Sequence, residues 1–100
     1  MKWIELIRVR SSEATLRAAL PTLAEQIREL ESSRPDVETL FLQHALYDGD
    51  LAVVAIWQTD SPAAKTREGL LVAESLAGLG TVDHAVWIPT SELSNTPRRI

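Results

Sequence analysis

Two apolar runs, Leu40 to Tyr47 and Leu51 to Gln58, meet at Asp48-Gly49 and are followed at once by Asp60-Ser61-Pro62, which reads as a helix cap with a first-turn proline. An Asp-Gly pair suits the positive-φ positions of a two-residue hairpin turn, so the two runs are expected to pair antiparallel. With Asp48 and Gly49 as the loop, Tyr47 opposes Asp50, His44 opposes Val53 and Leu42 opposes Ala55. That register predicts one face with Leu40, Leu42 and His44 beside Val53, Ala55 and Trp57. Phe41, Gln43 and Tyr47 fall on the other face with Val54 and Ile56.

The hairpin lies in the middle of a β-α-β-β-α-β order. Lys2 to Arg10 alternates Trp3, Glu5, Ile7 and Val9 against Ile4, Leu6 and Arg8, a strand period with apolar residues on both sides. Ser11 or Ser12 caps the next segment, where Leu16, Leu20, Leu23, Ile27 and Leu30 recur at helical spacing. Pro21 interrupts that stripe, so a bend near Leu20 or a short turn before the main helix is expected, ending at Ser32-Ser33-Arg34-Pro35. The second helix is predicted over Ala63 to Leu79, with Gly69 as an interior glycine that weakens the helix unless a backbone approaches closely there. Thr81 to Pro89 is the last strand. The fold class is therefore α+β: a single domain over residues 1–89 and a tail over 90–100, whose Pro97-Arg98-Arg99 is expected to be disordered.

Right-handed crossovers place both helices on one side of a four-stranded antiparallel sheet and leave the other side bare. Strands apolar on both faces need a second cover, and another copy of the chain is the simplest, so a homodimer is expected. The formal charge of −4 excludes a nucleic-acid partner that binds through a basic face, and no 18-residue apolar run exists to span a membrane. The chain has no cysteine, which excludes disulfides and thiol chemistry and makes a cytoplasmic location the expectation. Two histidines without Glu-x-x-His or His-x-x-His spacing predict no metal site.

Few residues are left to carry chemistry. Glu5, His44 and His84 are ionisable groups on otherwise apolar strands, and they are the candidate catalytic residues. Each also has a plain structural reading: a histidine satisfied in a core or dimer seam, or a carboxylate paired with an arginine. Trp3, Trp57 and Gln43 are the candidate ligand-binding residues, for a small apolar or aromatic ligand, and tryptophans on strands equally serve packing.

The element order, the run Leu51–Trp57 before a polar cap, and the closing Val82–Ile88 resemble the dimeric α+β barrel superfamily, in particular the small antibiotic biosynthesis monooxygenase domains. The resemblance implies ferredoxin-like subunits whose sheets face each other in a dimeric α/β barrel. It implies activities that include oxidation of aromatic polyketides or quinols without a cofactor. Haem-degrading relatives use an asparagine on strand one and a tryptophan and histidine on helix two. This chain has none of these there, so no cofactor is expected. Two functions follow: a cofactor-independent monooxygenase-like enzyme acting on a small aromatic or polyketide-like substrate, and a non-catalytic homodimer with a ligand-binding, structural or regulatory role.

Overall fold

The computed structural model describes residues 1–90. The tail predicted to begin at residue 90 lies almost wholly outside the described residues. The element order is β1 (Lys2–Arg10), α1 (Glu13–Ser33), β2 (Val37–Gln43), β3 (Asp50–Gln58), α2 (Arg67–Ala77) and β4 (Thr81–Trp87). The strands form one antiparallel sheet in the order β2-β3-β1-β4, which is the ferredoxin-like arrangement expected from the sequence.

The alternation in β1 sets the layers. Trp3, Glu5, Ile7 and Val9 are all buried, while Ile4, Leu6 and Arg8 are only half-buried. Direct pairing of Trp3 with Trp57, Ile7 with Val53 and Val9 with Leu51 extends the buried face across β3. Leu16, Leu23 and Ile27 of α1 and Val72 and Leu76 of α2 pack on it, so both helices lie on one side. A second, smaller cluster joins Trp3, Val37, Ala55 and Trp57 at the other end of that face.

Ser12 caps α1, its hydroxyl accepting from the Thr15 amide. The helix continues through Pro21 as a single element rather than dividing there. Proline removes one backbone donor, while the buried Leu16 before it and Leu23 and Ile27 after it hold both halves on the sheet.

The hairpin departs from the predicted register. Leu42 pairs with Ala52 and Phe41 with Val53, so β2 is displaced by three residues from the expected pairing of Leu42 with Ala55. An odd displacement exchanges the two faces of a strand. Val37, Thr39 and Phe41 therefore lie on the helix side, and Leu40 and Leu42 lie on the bare side, half-exposed. The predicted strand ran too long. Residues 44–49 form the connection, closed by His44 N–H donating to the Asp50 carbonyl (2.9 Å) and Asp50 N–H to that of Tyr47 (3.1 Å). Leu46 and Tyr47, which read as strand residues, are loop residues exposed to solvent. Gly49 does not have positive φ. It is required for another reason: the Ser11 amide donates to the Gly49 carbonyl (2.6 Å), and a Cβ at Gly49 would overlap the Ser11 carbonyl.

Helix α2 also begins later than expected. Its N-cap is Thr66, whose hydroxyl accepts from the Gly69 amide at 2.8 Å. Residues 59–65, including Asp60-Ser61-Pro62, form a strap between β3 and α2. Thr59 fixes its start by accepting from the Met1 ammonium (2.6 Å) through its carbonyl and from the Trp3 indole (2.7 Å) through its hydroxyl.

Candidate active site

A carboxylate on the buried face of a sheet must be hydrogen-bonded or neutral, because an isolated charge there is costly. Glu5 is fully buried, between the main helix–sheet core and the tryptophan cluster. Its Oε1 accepts from the Trp57 indole N–H (3.1 Å) and from the Thr66 hydroxyl (2.6 Å). Its Oε2 accepts from the Thr66 amide (3.0 Å) and lies 2.5 Å from His84 Nε2.

The proton positions follow from the donors. Indole and amide N–H groups only donate. The Thr66 hydroxyl already accepts from Gly69, which leaves its own proton for Glu5. Three fixed donors therefore fill lone pairs on both oxygens of one carboxyl group, which accepts from each of them. The bond to His84 is then donated by Nε2–H. His84 Nδ1 is buried and has no hydrogen-bond partner. A proton on Nδ1 would be a buried donor without an acceptor, which is rarer than an unfilled lone pair, so Nδ1 is bare. The arrangement is an imidazole held in one tautomer by a carboxylate, with its second nitrogen free to take a proton.

Chain geometry builds the group from four elements. Strand β1 supplies Glu5, β3 supplies Trp57, β4 supplies His84, which pairs with Ile7 two residues along the same face from Glu5, and the start of α2 supplies Thr66. Gly69 makes the approach possible, since a Cβ there would overlap the Glu5 carboxyl group. The interior glycine of the second helix is thus explained by a side chain, where a close backbone was expected. Thr66 and Gly69 were not singled out as site residues in the sequence; the glycine within a helical pattern was the one visible signal.

Trp3 and Trp57 stack with ring centroids 5.7 Å apart and planes at 18°. Arg34 places its guanidinium 4.8 Å from the centroid of the Trp57 ring, within cation–π range. Arg34 also donates to Asp36 through Nε (3.1 Å) and Nη2 (2.9 Å), and to Glu68 through Nη1 (2.6 Å). Hydrogen bonding to Asp36, then to Glu68, raises the Arg34 pKa, and the Arg34 bond holds Asp36 below its ordinary value. The cavity among Glu5, Trp57, Gly69, Leu30 and Val72 has a volume of about 10 Å³, room for one water at most.

The other candidates are elsewhere. Gln43 and His44 lie at the opposite end of the sheet from Trp57. Gln43 donates to Asp48 in the connecting loop, and exposed His44 accepts the Leu46 amide at Nδ1 (3.0 Å). Among the described residues no group of three or more His, Asp or Glu side chains is arranged to hold a metal ion, and no helix is long and apolar enough to cross a membrane.

No protein-family model matches the chain, and no curated protein does. Two solved structures do. Both are SnoaB, a cofactor-independent oxygenase from Streptomyces nogalater, one of them an asparagine-to-alanine mutant. The mutant superposes with a TM-score of 0.57 over 98% of each chain, the other with 0.53 over 98% of this chain and 96% of that one, each at 16% identity. The chain has the SnoaB fold. At this identity the likeness concerns architecture, and it agrees with the monooxygenase-domain resemblance read from the element order and the two strand runs.

Proposed function

We propose that the protein is a cofactor-independent oxygenase-like enzyme in which His84 takes a proton from a hydroxylated or otherwise acidic aromatic substrate. The buried Nδ1 of His84, without a hydrogen-bond partner while Nε2 lies 2.5 Å from the Glu5 carboxyl group, is the observation that carries this reading. Glu5 stabilises the imidazolium that forms and fixes its tautomer, while Trp57 forms the apolar wall. The substrate anion left behind is electron-rich enough to reduce dioxygen directly. For an anthrone-type ring the balance is one CH2 and one O2 giving one carbonyl and one water, with no other reductant. That SnoaB is a cofactor-independent oxygenase supports the same chemistry.

Self-association belongs to the proposal. Leu6, Leu40, Leu42, Val54, Ile56 and Trp87 share the sheet face that neither helix covers, and a second copy placed sheet to sheet would bury it. The cysteine-free sequence supports a cytoplasmic setting.

Oxygen uptake with anthrone tests the enzyme. The wild type is expected to consume one O2 per anthraquinone formed, and His84→Ala and Glu5→Gln are each expected to lose on the order of a hundredfold or more in rate, the usual worth of a general base. Uptake that is equal in all three proteins would reject the reading. The closed interior favours the second reading, a non-catalytic dimer, and the absence of uptake with every aromatic tried would select it.

A further inference from the structure

The two oxygens of Glu5 are engaged differently. Oε1 accepts from the Trp57 indole N–H and the Thr66 hydroxyl, so both of its lone pairs are taken by side-chain donors. Oε2 accepts from the Thr66 amide, whose direction the backbone fixes, and has one lone pair left, which faces His84 Nε2. The Thr66 hydroxyl is itself held, because it accepts from the Gly69 amide in the first turn of α2. One hydrogen-bonded line thus runs from the Gly69 amide through the Thr66 hydroxyl and Glu5 to His84, joining helix α2 to strand β4.

We propose that Thr66 and Trp57 are positioning residues for His84: by filling Oε1 they leave Oε2 as the one acceptor open to the imidazole, which keeps its proton on Nε2 and its Nδ1 bare. This rests on the oxygenase-like reading, in which Nδ1 is the base, and adds the two side chains that keep it available. Removing one donor to Oε1 leaves a buried lone pair unfilled, and the carboxyl group regains a partner only by turning about its last bond. Turning carries Oε2 off the line to Nε2. The imidazole is then no longer held in one tautomer, and molecules with the proton on Nδ1 have no base to offer. For Trp57 the donor role is separable from packing. Trp3 stacks on the indole and Arg34 lies over it, contacts made by ring faces, so Trp57→Phe removes the donor and keeps an aromatic face for both.

Nitrogen-15 NMR of the His84 ring and anthrone oxidation by wild type, Thr66→Val, Thr66→Ser and Trp57→Phe are the test. The chain has two histidines, so a His44→Ala background leaves His84 as the single imidazole. At about pH 8, above the range in which an ordinary histidine titrates, the ring with Thr66 and Trp57 intact should show one N–H and one bare nitrogen. Thr66→Val and Trp57→Phe should each move the two nitrogen signals toward one another. Each should also lower kcat on the order of tenfold with KM unchanged, a part of the loss expected on removing His84 itself. Thr66→Ser, which keeps the hydroxyl, should restore both. A purely structural role would lower the melting temperature and leave the nitrogen signals where they were. The two positions lie on different elements, so either variant decides the matter if the other fails to fold. Unmoved signals in Thr66→Val and Trp57→Phe would overturn the proposal whatever their activity. Signals that move as expected in a protein that consumes no oxygen would reject the oxygenase reading and leave the positioning of His84 standing.

Discussion

Glu5 shows how one buried charge organises its neighbours. Burial makes each donor to it valuable, because a carboxylate left short of partners inside a protein is costly. Thr66 has the most to lose, serving Glu5 twice and capping α2 with the same hydroxyl. Thr66→Val should therefore destabilise the chain by about 1–2 kcal/mol in urea unfolding, and Thr66→Ser, which keeps the hydroxyl, should cost well under half of that. Gly69→Ala is the complementary case. Alanine is the better helix former by about 1 kcal/mol, yet its Cβ would overlap a carboxyl group that can retreat only by giving up its bonds. A net loss on the order of 1–2 kcal/mol is expected, with a weakened signal from the Trp57 indole hydrogen bond in proton NMR. A Gly69→Ala protein more stable than wild type would mean that Glu5 is not held there.

At the scale of elements, connections determine what the strands present. The 44–49 loop displaces β2 by an odd number of residues and thereby exchanges its faces, and the strap over 59–65 moves the start of α2 from Asp60 to Thr66. Both depend on partners distant in the chain, Ser11 for the hairpin loop and Glu5 for the helix cap. The Arg34 cluster ties the end of α1 to the start of α2 and has a pH dependence of definite sign. Arg34 holds the Asp36 pKa below its ordinary 3.8, so the stabilisation that Asp36 contributes is complete above that value and is lost as the pH falls through its lowered pKa in the folded state. Acid titration should release the guanidinium from Trp57, read as a fluorescence change below about pH 4 that is missing in Asp36→Asn. A change of equal size and midpoint in that variant would assign the transition to another carboxylate.

The whole molecule is a two-layer α+β domain with one sheet face uncovered among the described residues. Leu40 at 50% exposure and Leu42 at 48% on one edge strand, and Trp87 at 59% on the other, are large apolar side chains left open on that face. Arg8, Arg10, Asp50 and Asp83 form ion pairs at one end of that face, a polar rim suited to a sheet-to-sheet contact. Light scattering at micromolar concentration should give twice the chain mass, and Val54→Asp, which puts a charge on the inner strand β3 between Leu40 and Leu6, should give the monomer. A wild-type monomer would remove the barrel.

Much of this was legible because it is local. Alternation in Lys2–Arg10, the leucine stripe of α1 and the βαββαβ order required only periodicity and the handedness of crossovers, and β1 came out with the predicted ends and faces. Glu5 and His84 could be singled out as ionisable residues on apolar strands, and the interior Gly69 as the mark of a close approach. What tertiary structure decided was adjacency. The pairing of β1 with β4 brought His84 to Glu5 and left His44 at the far end of the sheet, and β2 took its register from the Ser11 contact at Gly49 and the burial of Val37 against the Trp57 cluster. An Asp-Gly pair specifies a turn only when no distant group competes for its backbone. Here Ser11 does compete, and the hydrogen bonds and packing gained across the fold outweigh the local preference of two residues.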